Sequence, residues 1–275
     1  MVRNKLQSFT FDKPPRCVNG LEETAMKVLR AIAAIVGLAL PLVSTYAHSA
    51  ELKVFESNAL KTVMDELGSQ FEKATENKLA PTMGTTAELR GKIDQGEVFD
   101  VAVFTKTALD ELAKQGKVAG APLITITRVG IGVAVRKGAV KPDVSTVQAF
   151  KSAMLNAASI GYVKQTPTAT NMKVIFEKLG ITNQVQPKIK LLDVVVSEAV
   201  TKGEVEIGLT QISEIVPYAS VELAGPLPAD IQAYTVFGGG IASFTKYPDA
   251  ATTLVQFLTS PAAVSVLRAN GMEPL

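Results

Sequence analysis

Apolar residues at Leu60, Val63, Met64, Leu67 and Phe71 recur at i, i+3, i+4, i+7 and i+11. That spacing is one face of a helix, and it predicts a helix from about Ala59 to Glu76. Leu52 to Phe55 reads as a short strand ahead of it. Glu56-Ser57-Asn58 forms a polar turn between the two, with Ser57 or Asn58 where an N-cap belongs. A strand that feeds a helix N-terminus leaves free backbone N–H groups, which favour an anion. The same pattern is also that of an ordinary capped helix start.

A second stretch repeats the arrangement. Leu79 to Met83 reads as a strand, followed by Gly84-Thr85-Thr86-Ala87-Glu88-Leu89 and a short helix marked by Leu89 and Ile93 and ending at Gly96. In an open α/β sheet such turns line up at the carboxyl edge of the strands, where ligands bind.

The pattern continues along the chain. Phe99 to Phe104 is a nearly continuous apolar run, a buried strand. A helix over Thr107 to Gln115 follows, closed by Gly116. The order β-α-β-α-β-α predicts a parallel sheet with helices on its faces. Thr125 to Arg136 is a long β-rich run containing Gly130 and Gly132, suited to a crossover. Ser145 to Gln148 is a capping-box candidate before a helix over Val147 to Ala157, and Ser159 to Val163 is a strand. Lys164 to Asn171, rich in hydroxyls and amides, leads to a helix over Met172 to Leu179 with Gly180 at C′. Strands follow at Lys188 to Leu192 and Val205 to Leu209, with a helix at Val195 to Lys202 between them and Thr210-Gln211 at the end of the second. Tyr234 to Phe244, with Gly238-Gly239-Gly240, is a second crossover strand. Helices from Pro248 to Leu258 and from Pro261 close the chain, the latter with Ser260 as cap and Gly271 as stop. Polar turns at 56–58, 84–88, 164–171 and 210–211 are therefore expected to line one cleft.

Composition changes the picture once the N-terminus is set aside. Met26 to Arg30 is a basic region, Ala31 to Val43 is apolar, and Ala47-His48-Ser49-Ala50 supplies small residues. This reads as a secretory signal peptide over 26–50. The small-x-small rule places the cut after Ser49, with a cut after Ala50 as the alternative. Residues 1–25 read as an over-extended leader with Met26 as the start, or else as an unusual genuine leader. The only Cys (Cys17) and the only His (His48) both fall in this part. The remaining chain thus offers no cysteine nucleophile, disulfide, cysteine–histidine zinc site or His-based triad. It also loses six of the 28 basic and three of the 26 acidic residues, leaving 22 and 23. There is no basic run to suggest nucleic acid, and no later apolar segment of membrane-spanning length.

These residues carry a resemblance. The chain resembles the periplasmic solute-binding proteins of ABC importers, specifically the molybdate-binding group with the type II binding-protein fold. The likeness rests on Val54-Phe55 with Leu60, on Gly84-Thr85-Thr86-Ala87-Glu88-Leu89, and on Asp94-Gln95-Gly96 before Phe99-Asp100-Val101. It also rests on Pro167-Thr168-Ala169, Glu206-Ile207-Gly208-Leu209 and Ser260-Pro261-Ala262-Ala263. It implies an α/β fold of two lobes, each a mainly parallel sheet flanked by helices, with two crossover strands as hinge. Lobe 1 would comprise 51–128 and 233–275, and lobe 2 would comprise 129–232. It further implies a ligand set at Ser57, Asn58, Ala59, Thr85, Thr86, Thr168, Ala169, Thr170, Val194 and Gln211. Within that set the family's first-turn serine falls on Ala59 and its tyrosine on Gln211. Asn58 or Ser57 could replace the lost hydroxyl. Arg90, which the family pattern does not place there, would suit a carboxylate, since a guanidinium takes one bidentately. As a helix residue it is equally at home in solvent.

The resemblance implies a secreted monomer in the periplasm that captures a small anion, either an oxyanion or a di- or tricarboxylate. It would present that anion to an inner-membrane permease, without cofactor or metal. Aconitate isomerase-like proteins share the scaffold, so an enzyme catalysing a 1,3-proton shift is the alternative. Its base could come only from residues such as Glu56, Glu88, Lys164 or Asp193, each of which is also an ordinary surface charge. An orphan receptor feeding a sensor fits the residues equally well.

Overall fold

The structure is a computed structural model and describes residues 49–119 and 123–275. β1 (Glu51–Ser57) runs parallel to β2 (Lys78–Gly84), with Ser57 opposite Gly84, and to β3 (Val101–Thr105). Between and after these strands come α1 (Lys61–Thr75), α2 (Thr86–Asp94) and α3 (Lys106–Lys114). The alternation of β1 decides which side each residue serves. Leu52 and Val54 join Val63, Met64, Leu67 and Phe71 of α1 in one apolar cluster. Phe55 faces the other way and packs with Leu89, Phe99 and Leu109.

β4 (Ile124–Arg136) is the longest strand, and its two halves have different partners. From Ile124 to Gly130 it is antiparallel to β9 (Tyr234–Ile241). From Ile131 onward it is antiparallel to β7 (Ile207–Gln211) and β8 (Val221–Pro226). β5 (Ile160–Val163) lies parallel to β6 (Ile189–Leu192) and to β7. The sheet order is β2-β1-β3-β9-β4-β7-β5-β6, and β8 and the short β10 (Glu273–Pro274) also pair with β4. The sheet is therefore mixed. Its two wings are parallel as expected, while its centre is antiparallel because β4 and β9 run against their neighbours.

The second wing carries α4 (Val147–Asn156), α5 (Pro167–Lys178), α6 (Thr182–Val185) and α7 (Val196–Lys202). One face of it buries Val133, Phe150, Met154, Met172, Phe176 and Leu209, and the other buries Ala134, Val196, Ala199, Val200 and Ile215. The last helices, α8 (Pro248–Phe257) and α9 (Pro261–Ala269), return to the first wing, where Leu254, Val255, Val266 and Leu267 join the cluster of Leu52 and Phe71. The glycine run in β9 has a packing reason. A Cβ on Gly239 would lie 2.7 Å from Val255 of α8, and one on Gly238 would lie 2.6 Å from the Ile124 carbonyl oxygen of β4.

Three elements differ from the sequence reading. α5 starts at Pro167, five residues early, because Thr166 caps it and its hydroxyl accepts from the Ala169 amide at 3.2 Å. Thr210 and Gln211 are inside β7 rather than beyond it. β8 was not expected, since Val221 to Pro226 has only a weak alternation and includes Gly225. The leader and signal segment lie outside the described residues except for Ser49 and Ala50. Ala50 is buried, and its amide donates to Asn77 Oδ1 at 3.0 Å. Among the described residues no single helix is long and apolar enough to cross a membrane.

Candidate functional site

The first wing ends in two turns side by side, since Ser57 and Gly84 are register partners. After Ser57 the chain makes a 3-10 turn over Asn58–Leu60 before α1 begins. This corrects the expected cap: the inserted turn puts Leu60 at the N-cap of α1, and neither Ser57 nor Asn58 makes a side-chain capping bond. Ser57 and Ala59 are buried and Asn58 is half-buried.

The second turn is a different case. Thr85 caps α2 in a complete capping box: its Oγ1 accepts from the Glu88 amide at 3.2 Å, and Glu88 Oε2 accepts from the Thr85 amide at 2.8 Å. Glu88, an expected base, is thus occupied as a cap. Thr86 is half-buried, and its hydroxyl makes no hydrogen bond within the described residues. Arg90, an expected carboxylate anchor, is instead paired with Glu111 of α3, and its Nε is buried without a partner.

The second wing presents the ends of β5, β6 and β7. Thr168 is buried, Ala169 is half-buried and Thr170 is exposed. The Ala169 amide is used by the Thr166 cap, and the Thr170 amide donates to the Thr166 carbonyl at 3.2 Å, so neither amide is free for an anion. Lys164, another expected base, is half-exposed and forms an ion pair with Asp193. Val194 is exposed.

Gln211 closes β7. It is buried, and its Oε1 has no hydrogen-bond partner among the described residues. Ser213, two residues on, is equally buried with an unpartnered Oγ. Native structures rarely leave such groups unpaired without a reason. Glu214 lies next to them, and its carboxyl accepts from Thr210 Oγ1 and from the Gln211 amide. Burial pushes that carboxyl above the usual range, against the lowering effect of these two hydrogen bonds. Sequence reasoning missed Ser213 and Glu214 because it ended β7 at Leu209. The polar residues of Thr210-Gln211-Ile212-Ser213-Glu214, directly after an apolar strand, were the available signal.

The two edges meet. The turn Asn58–Leu60 packs against the turn Ile212–Glu214, and Ile212 lies on the apolar cluster that contains Ala59 and Leu60. This brings Ser57, Asn58 and Ala59 to the segment of Gln211 and Ser213. Glu56, just before them in β1, is 3 % exposed and makes no hydrogen bond among the described residues through its carboxyl. Its pKa is raised to about 7, chiefly by burial and further by the charge of Asp65, against the lowering effect of Lys61. Lys61 and Asp65 form an ion pair at 2.5 Å, and Tyr218 from the segment after Glu214 lies within the field of Lys61. A cavity of about 550 Å³ opens at the opposite end of β7, lined by residues such as Val135, Pro142, Ala153 and Ile207. None of the expected site residues lines it.

Comparison with known proteins adds the family. The sequence model of the bacterial extracellular solute-binding proteins matches residues 52–273. An aconitate isomerase from Pseudomonas sp is 29% identical over 230 residues, covering 82% of this chain and 88% of that protein. The molybdate-binding protein ModA of Azotobacter vinelandii is 26% identical over 247 residues, covering 86% and 95%. The solved structure of the Azotobacter vinelandii periplasmic molybdate-binding protein superposes with a TM-score of 0.67 at 19% identity, covering 80% of this chain and 98% of that one.

Proposed function

Because the chain belongs to the bacterial extracellular solute-binding proteins and is built like their molybdate-binding members, we propose that it captures a small anion between the two wings of its sheet and hands it to an ABC permease. The observation that carries this reading is the meeting of the turn Asn58–Leu60 with the turn Ile212–Glu214, beside buried and unpartnered Gln211 Oε1 and Ser213 Oγ. In this reading residues 51–128 with 233–275 and residues 129–232 are two lobes that close on the ligand, hinged at β4 and at the return into β9. Thr86, Thr168 and the backbone of Ser57–Ala59 and Val194 supply donors. The protein acts as a monomer in the periplasm after its signal segment is removed.

The ligand class follows from the side chains. Ala59 carries no hydroxyl, and the Arg90 guanidinium is engaged by Glu111. Gln211 Oε1 accepts hydrogen bonds and seeks a donor. A carboxylate that carries a hydroxyl or a protonated carboxyl supplies one, whereas a fully ionised oxyanion only accepts. A di- or tricarboxylate that carries a hydroxyl, or that keeps one carboxyl protonated, therefore suits the site better than molybdate. Thermal unfolding of residues 50–275 with molybdate, tungstate, sulfate, citrate and both aconitate isomers tests this. A ligand at about 100 times its Kd stabilises by about 2.7 kcal/mol, and carboxylates are expected to give the larger shift. No shift with any of these anions would sink the proposal.

One observation favours a second reading. A buried carboxyl near pKa 7 at the first turn, Glu56, has the poise of a general acid–base, and the chain is similar to an aconitate isomerase. In that reading Glu56 takes the proton from one carbon of an unsaturated tricarboxylate and a proton returns two carbons away. Following each aconitate isomer by NMR in the presence of the protein separates the two readings. Interconversion at rates above the protein-free control supports the enzyme, and its absence alongside binding supports the receptor.

A further inference from the structure

The position of Glu56 is unusual for an anion site. It is the penultimate residue of β1, on the strand face shared by Leu52 and Val54, directly before the turn that meets the opposite wing. Its sheet neighbours are Met83 on β2 and Val103 on β3, neither of them charged. The charged groups that face it come from α1, and they are Lys61 and Asp65. Lys61 is bound to Asp65, so its charge is largely compensated at short range. From the opposing segment, Glu214 has its carboxyl satisfied by Thr210 and Gln211, and Tyr218 lies within the field of Lys61. Among the described residues no donor reaches the Glu56 carboxyl. An ionised Glu56 beside an anion in a buried place would be a like-charge pair without a mediator, which is strongly unfavourable.

We propose that the site takes up its anion together with one proton, held on Glu56, whose carboxyl O–H donates to an oxygen of the ligand at the turn Ser57–Ala59. This rests on the anion-binding reading above. Only the neutral carboxyl is a donor, and an ionised one is acceptor-only. Two further features support the geometry. Gln211 Oε1 and Ser213 Oγ, on the segment packed against the same turn, are buried and unpartnered, so the polar demand at this seam is unmet on both sides. In addition, the free carboxyl titrates near pH 7, so the proton is available at neutral pH and scarce above it. No covalent step is involved: a proton moves from solvent to Glu56 on binding and returns on release. The consequence is a receptor that binds better on the acid side of neutrality and releases its anion when the proton is lost.

Calorimetric titration with trans-aconitate, citrate and molybdate tests this. Each titration is run between pH 6 and pH 9 in two buffers of different ionisation enthalpy, which gives the protons taken up per ligand. If only the protonated site binds, affinity falls about tenfold per pH unit above about pH 7 and uptake approaches one proton at the alkaline end. Glu56→Gln takes up no proton from this group whatever its affinity. The ligand's own protonation is common to both proteins and cancels in the difference. A wild type that binds one of these anions with pH-independent affinity and no proton uptake overturns the inference and leaves the binding function standing. Binding of none of them at any pH removes the anion-binding reading and this inference with it. If the variant fails to fold, the wild-type measurement at the alkaline end, where these anions are fully ionised and contribute no proton of their own, decides the matter.

Discussion

Gln232 clamps Ile131 as a strand partner would. Its Oε1 accepts from the Ile131 amide at 2.8 Å, and its Nε2 donates to the Ile131 carbonyl at 3.0 Å. The clamp sits where β4 leaves β9 at Gly130 and takes up β7 at Ile131. A side chain there fills the gap in the ladder between the two wings, and the lack of a Cβ on Gly130 gives it room, since one would lie 3.0 Å from the Gln232 amide.

Gln232→Ala removes the partner of a buried amide. The Ile131 carbonyl keeps its bond from the Leu227 amide at 3.0 Å, but the Ile131 N–H is left with nothing. The expected loss is about 1–3 kcal/mol, read from urea unfolding. A change within about 0.5 kcal/mol would mean that water or a shifted strand replaces the clamp.

Glu56 makes stability depend on pH. In the unfolded chain its carboxyl titrates near 4.5 and in the fold near about 7. The folded state therefore holds the proton longer, and the stabilisation present below pH 4.5 is lost as pH rises through about 7. The difference corresponds to about 3 kcal/mol. Glu214, also shifted upward, acts in the same direction, so wild type must be compared with a variant. Glu56→Gln is expected to gain stability relative to wild type between pH 5 and 8. Parallel curves for the two proteins across that range would contradict the assignment.

Ser213 carries a buried hydroxyl with no partner. An unpaired buried hydroxyl is a cost to the free protein, so Ser213→Ala should leave its melting temperature unchanged or raise it. A drop of several degrees would show that the hydroxyl is bonded inside the free protein.

The capping box at α2 is a unit. Thr85→Ala and Glu88→Ala are each expected to cost about 1 kcal/mol in urea unfolding. The double variant should cost less than their sum, because both remove the same box. Additive losses would show that the two residues act separately.

The alternation of Leu52, Val54 and Phe55 and the helical spacing from Leu60 to Phe71 were enough to place β1 and α1, because one face of each is buried. The stops at Gly116, Gly180, Gly203 and Gly271 were also legible, since each adopts positive φ at a helix end. What escaped was non-local. Nothing near Val221 to Pro226 announces a strand, because β8 exists only by pairing with β4. Arg90 reads as free until α3 is folded beside it and Glu111 takes its guanidinium. In the sequence Glu88 and Lys164 stood as candidate bases on the same footing as Glu56. Burial, which depends on α1 and the opposing segment, singled out Glu56. Ser213 was overlooked because a strand end shifted by two residues hides which hydroxyl comes next.

The central claim is that both wings hold one anion. Thr86 belongs to the first and Ser213 to the second, so calorimetric titration of trans-aconitate and molybdate into wild type, Thr86→Val and Ser213→Ala tests it most directly. Each variant should lose about 1–3 kcal/mol of affinity for whichever anion the wild type binds. Unchanged affinity in both variants would contradict the claim and move the ligand away from this seam.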